Sequence, residues 1–228
     1  MKQLDFERAK TYALTRLVED IPGTRVYHSI THTRDEVAPA VEQLAIMENV
    51  GGEELSLLRT AVYFHDLGFV ESNCDHELIG ARIASEVLPG FGYQAGQIQT
   101  IQNLILATRL PQSPKTYLEE ILADADLVIL GKDTFMERNQ DLRAEMANYG
   151  EQVMDDIWFG KQLSFLSSHT YFTSEAHSLL DAGKEKNIAR LKEFISYDIR
   201  EDNKHKLPLP FGAKSAEALG AGKVDEDC

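Results

Sequence analysis

Leu57-Leu58-Arg59-Thr60-Ala61-Val62-Tyr63-Phe64-His65-Asp66-Leu67-Gly68 is a nearly unbroken apolar run that ends in an imidazole and a carboxylate side by side. A segment apolar on most of its surface reads as a central helix with neighbours all round, so the chain around it should be helical. Burying a histidine and an aspartate together at the end of such a helix is costly unless something compensates both. A metal ion does so, because each residue can give it one ligand atom.

The periodicity outward from this run is helical almost throughout. Phe6, Ala9, Ala13 and Leu17 form one stripe; Val37, Val41, Leu44 and Ala45 form another. His76, Ile79, Gly80, Ile83, Ala84, Val87 and Leu88 share a face before Pro89-Gly90 ends the helix. Ile98, Ile101, Ile105 and Thr108 continue the pattern until Pro111 and Pro114 break it. Ala176, Leu179, Leu180, Ile188, Leu191, Phe194 and Ile195 recur at helical spacing, with Thr173 or Ser174 placed to cap the start. No run of alternating β-branched residues and no internal repeat is present. The expectation is an all-α compact bundle: one domain over residues 1–200, and an extended or poorly ordered tail over 201–228, where prolines and a Gly/Ala/Lys/Asp mixture take over.

The chain has 228 residues and a formal net charge of −14, enough length for a substantial core and a sign that argues against polyanionic partners such as a nucleic-acid duplex or an anionic membrane. A small phosphorylated substrate remains compatible, since a bound dication reverses the local field. No segment reads as a bilayer span or a signal peptide, and Cys74 and Cys228 lack a framework spacing. These features point to a cytoplasmic location.

Upstream of the central run lies Tyr27-His28-Ser29-Ile30-Thr31-His32-Thr33-Arg34-Asp35-Glu36-Val37, and downstream Ala123-Asp124-Ala125-Asp126-Leu127. His32, His65, Asp66 and Asp126 would make a two-histidine, two-carboxylate site with positions open for water and substrate, as catalytic sites require. Such ligands suit Mn, Fe, Ni, Zn or Mg rather than a thiolate-selecting metal. The ion would lower the pKa of a water toward neutrality, and a carboxylate such as Asp66 could bridge to a second ion.

The order His…His-Asp…Asp on helices resembles the HD-domain superfamily of metal-dependent phosphohydrolases over roughly residues 25–135. The upstream stretch is similar to the Tyr-His-Asn-x-x-His-Ala-x-Asp-Val pattern of cyclic-nucleotide phosphodiesterases, departing from it at Ser29. The resemblance implies that His32 is a metal ligand and that His28 is the acid protonating the leaving oxygen. Ala125-Asp126-Leu127 is similar to the family's Ala-Asp-Leu, which favours Asp126 over Asp124 as ligand. His76 occupies a place where related proteins put a second-metal ligand or a substrate contact, although a histidine on an apolar stripe is ordinarily a core residue.

Arg109 could clamp a phosphate or simply follow a helix at the surface, and Lys132 has the same two readings. Together with Arg34 these are the basic candidates near the motifs. His169 and His177 read as structural or solvent-facing, Asp155-Asp156 as a solvated face, and Trp158 as core. Two function classes follow: a phosphohydrolase of a small phosphomonoester or phosphodiester, nucleotide-like in the resemblance, or a regulatory metal- or nucleotide-binding module without turnover.

Overall fold

The computed structural model describes residues 4–201, and among them there are nine α-helices and no strand. The expectation for the tail therefore lies outside the described residues from 202 onward.

Helix α1 (Phe6–Glu19) is capped by Asp5, whose carboxylate accepts from the Arg8 amide, and buries Ala9, Ala13 and Leu17. A loop carrying Tyr27 and His28 leads into a π-helical turn, His32–Val37, that runs on into α2 (Ala38–Met47). Pro39 sits near the start of α2, where its missing N–H costs least. Helix α3 (Gly52–Phe64) is the central element and packs against α1, α2, α5 and α6. Its Leu57, Leu58, Ala61, Val62 and Phe64 are all buried. Each of its larger apolar side chains contributes about 1.5–3 kcal/mol by burial.

A 3₁₀ turn, Leu67–Val70, follows His65-Asp66 and turns the chain into α4 (His76–Val87). Two glycines let these pieces approach. A Cβ at Gly68 would lie 1.9 Å from the His76 carbonyl oxygen, and one at Gly80 would lie 2.8 Å from the Phe64 carbonyl oxygen. No other residue permits backbone contacts this close, so the glycines set where His76 stands relative to Asp66.

Helix α5 (Ala95–Ala107) opens with a Gln94–Gln97 capping box, and α6 (Tyr117–Asp126) is capped by Thr116. Beyond a 3₁₀ turn at Val128–Gly131 come α7 (Phe135–Asn148), α8 (Asp155–Ser168) and α9 (Ser174–Glu201). Asp124 ties α6 to the start of α9: it accepts from the Phe172 and Thr173 amides and the Thr173 hydroxyl, all at 2.8 Å. Thr173 Oγ1 in turn accepts from the Ala176 amide and caps α9.

The apolar residues form two adjoining clusters, one among α1–α6 and one joining the 128–131 turn to α7, α8 and α9. Trp158 is in the second, as expected of a core residue, with its indole N–H donated to Asn139 at 2.7 Å. No helix among the described residues is long and apolar enough to cross a membrane.

Candidate metal centre and its cavity

Three segments that are far apart in the chain bring His32, His65, Asp66 and Asp126 together. His32 opens the π-helical turn, His65 caps α3, Asp66 follows it, and Asp126 ends α6. Ligand atoms of His32, His65 and Asp66 all lie within 4.8 Å of one another, and all three residues are buried. Asp126 Oδ1 completes the group, 3.2 Å from His32 Nε2 and 3.3 Å from His65 Nε2.

The outer hydrogen bonds decide which ring nitrogen faces the centre. His65 Nδ1 is 2.7 Å from the Val62 carbonyl, which can only accept, so Nδ1 carries the hydrogen and Nε2 is left to coordinate. His32 Nδ1 is 3.0 Å from Glu36, four residues on, whose carboxylate is ion-paired with Arg138 at 2.6 Å. Glu36 is held below the usual carboxylate range: burial pushes it up, but His32 and Arg138 outweigh that. A carboxylate behind the histidine fixes the tautomer and makes the ring a better ligand.

The centre is strongly polarised. Burial opposes charge on His32, yet hydrogen bonds to Asp126 and Glu36 and the field of Asp66 raise its pKa to about 9. Burial likewise opposes ionisation of Asp126, but His32 and His65 bring it down to about 2. His65 Nε2 and Asp66 Oδ2 are buried without a hydrogen-bond partner. Two orphaned buried atoms, a ring nitrogen and a carboxylate oxygen 3.3 Å apart within a His–His–Asp–Asp group, fit a dication well.

His76 stands on the opposite side of Asp66. Its Nε2 is 3.6 Å from Asp66 Oδ1, whereas Asp66 Oδ2 faces His65 and His32. The ring stacks on Phe69 at 3.8 Å between centroids and 15° between planes, and burial lowers its pKa to about 4, so it is neutral near pH 7. Its side chain lines the cavity rather than lying wholly in the core.

His28 is half-buried against Phe69 and 6.0 Å, ring to ring, from His32. Glu145 of α7 accepts from both the His28 amide and the Tyr27 amide at 2.9 Å and lies 2.5 Å from His28 Nδ1. Burial pushes Glu145 up, but His28 and Arg25 bring it down to about 2. An ionised acceptor requires the hydrogen on Nδ1, which leaves Nε2 as the position where His28 can give or take a proton. Arg25, sandwiched between Phe69 and Tyr149, also pairs with Glu145 at 2.6 Å and closes this corner.

A cavity of about 760 Å³ opens from the centre, and His28, His32, Asp66, His76, Arg109 and Asp126 all line it. Arg109 is exposed at its edge and is paired with Asp75 at 2.6 Å. Lys132 is exposed and does not line the cavity; its backbone carbonyl, which accepts from Asn187 at 2.9 Å, is what the fold uses. Arg34 pairs with Asp35 on the surface and is also outside. His177 pairs with Asp181 near the surface and His169 lies beside Lys184, both in structural positions.

Glu145, Arg138 and Lys161 are cavity or cavity-wall residues that sequence reasoning missed. One signal existed for Glu145: it falls in the Phe135, Leu142, Met146 stripe of α7, a carboxylate where an apolar residue belongs.

No protein-family model matches this chain, and no curated protein is significantly similar to it. Two solved structures are similar in fold. One, from an uncultured Thermotogales bacterium, is described as a predicted HD superfamily hydrolase; it is 20% identical with a TM-score of 0.55, over 84% of this chain and 91% of that one. The other, from Lactobacillus plantarum, is 16% identical with a TM-score of 0.64, over 88% of this chain and 97% of that one. The motif order, the all-helical architecture and these likenesses agree: the chain has the HD-type helical fold.

Proposed function

We propose that this protein is a metal-dependent phosphohydrolase acting on a small phosphomonoester or phosphodiester. The observation that carries this reading is the convergence of His32, His65, Asp66 and Asp126, with the outer ring nitrogens of both histidines already committed and with His65 Nε2 and Asp66 Oδ2 unsatisfied. These four residues would hold the ion, with His76 across Asp66 as the nearest ligand for a second. When bound, the ion supplies Lewis acidity toward a phosphoryl oxygen and a water more acidic than bulk.

The protein's own groups supply the rest. Asp66, with one oxygen unsatisfied, orients the attacking water. His28 holds a proton on Nε2 for the leaving oxygen, and Glu145 keeps that ring turned. The apolar ring faces of Phe69 and Tyr27 around His28 limit water there, which strengthens these interactions. Arg109 at the edge can meet a phosphate oxygen if it exchanges Asp75 for it.

The test is an assay of p-nitrophenyl phosphate and bis(p-nitrophenyl) phosphate with added Mn, Fe, Ni, Zn or Mg, with Asp66→Ala as control. Metal-dependent turnover that vanishes in the variant is the expected result. Tight metal binding with no turnover of any ester would instead make the protein a regulatory binding module.

A further inference from the structure

The cavity lining is not all polar. Leu127, Ile129, Leu130, Phe135, Leu142 and Phe165 also line it, and three of them belong to the buried cluster behind it. This part of the lining is apolar, suited to the organic part of a ligand rather than to its phosphate.

Two polar side chains of α8 line the same cavity, exposed Lys161 and half-buried Gln162. Lys161 differs from the other cations that line the cavity. Arg109 is paired with Asp75, and Arg138 with Glu36 and Asp141. Among the described residues no hydrogen bond or ion pair engages Lys161 or Gln162, in a chain whose net charge is −14. Gln162 also interrupts a packing row: Trp158, Gln162 and Leu166 follow one another four residues apart, and the first and last are fully buried. An amide there breaks an apolar face at the point where that face meets the cavity.

We infer that Lys161 and Gln162 are specificity-determining residues of a recognition subsite. The subsite takes a phosphoester whose organic group is mainly apolar or aromatic and carries an acceptor, a carboxylate or carbonyl oxygen, at its far end. The phosphate lies at the ligand cluster, the ring or chain lies on the Leu130–Phe135–Phe165 wall, and the acceptor meets the ammonium and the amide. This rests on the phosphohydrolase reading, and it gives a use to α8, which lies outside the stretch that resembles the HD-domain superfamily.

The test is binding rather than turnover, so it stands apart from the assay of that reading. Titration calorimetry of the Mn-loaded protein would compare phenylphosphonate, 4-carboxyphenylphosphonate and 4′-carboxybiphenyl-4-phosphonate, none of which has an ester bond to hydrolyse. The expected result is at least one carboxylated compound binding about tenfold tighter than phenylphosphonate, the scale of one charge-assisted hydrogen bond. Lys161→Met should abolish that preference and leave phenylphosphonate nearly unchanged, while Lys132→Met, outside the cavity, should keep it. Failure of both carboxylated compounds to bind tighter, or a preference that survives Lys161→Met, would overturn the inference. Lack of turnover with any ester and metal would sink the phosphohydrolase reading, and leave the phosphonate result as evidence for a binding pocket.

Discussion

Glu145 and His28 form a dyad across 117 residues of chain: one carboxylate receives the backbone amide of His28 and lies 2.5 Å from its Nδ1. The imidazole is thereby held in one orientation and one tautomer, with its second nitrogen turned to the cavity. Nothing else in the 22–30 loop fixes that ring as firmly, so the acid role proposed for His28 depends on α7.

The first prediction concerns this dyad. His28→Ala should reduce kcat about 10²-fold to 10⁴-fold on an alkyl phosphoester, the usual range for losing a general acid, and far less on a nitrophenyl ester whose leaving group needs no proton. Glu145→Gln should follow the same leaving-group pattern more weakly, with KM nearly unchanged. Equal slowing of both esters in a steady-state comparison would remove the acid assignment.

Glu145 also predicts how stability varies with pH. Its folded pKa is depressed from 4.5 to about 2, so its contribution is fully present above the unfolded value and is lost as pH falls through about 2. The difference is on the order of 3 kcal/mol for this buried carboxylate. Urea unfolding at pH 6 and pH 3 should show a loss in the native protein that is clearly smaller in Glu145→Gln. An identical pH slope in the two proteins would mean that the pair carries no such energy.

Metal binding should compete with protons. His32, with a pKa raised to about 9, is charged near pH 7 and must release its proton to become a ligand. Affinity for Mn should therefore strengthen between pH 6 and pH 8, by about tenfold per unit for each proton displaced. Mn should raise Tm in the native protein and not in Asp66→Ala. Calorimetry in two buffers of different ionisation enthalpy measures the released proton directly, and a pH-independent affinity would contradict the ligand role of His32.

Two glycines with opposite surroundings give a stability test. Gly80→Ala places a methyl group 2.8 Å from the Phe64 carbonyl oxygen and should destabilise the protein by about 1–3 kcal/mol while shifting α4 and His76. Gly160 lies inside α8 with nothing within 4 Å of its added Cβ, so Gly160→Ala should stabilise by about 0.5–1 kcal/mol. Denaturant unfolding of both variants checks the contrast, which fails if the two substitutions have the same sign.

The members of the candidate metal cluster could be singled out because each sits at the boundary of a strong local pattern. His65-Asp66 ends an apolar helix, Asp126 ends α6, and His32 opens the turn into α2. The all-α architecture was legible for the same reason, since an apolar stripe at helical spacing is a property of neighbouring residues. Arg109 was found, but not its engagement with Asp75, and Lys132 was placed near the site on sequence proximity alone.

What only the tertiary structure decided is the cavity itself. Glu145, Arg138 and Lys161 lie on α7 and α8, where charged residues recur at spacings that any solvated helix shows. Whether such a side chain faces water or the site depends on how the 128–131 turn and α9 dock these helices against the first six, through contacts separated by dozens of residues. Local periodicity is written in the chain and determined the helices and the ends at which the candidate metal cluster stands. The pairing of His28 with Glu145 and the place of Lys161 on the cavity lining arise from long-range packing, in which the burial of one apolar cluster against another orients polar groups that carry no local signature of their role.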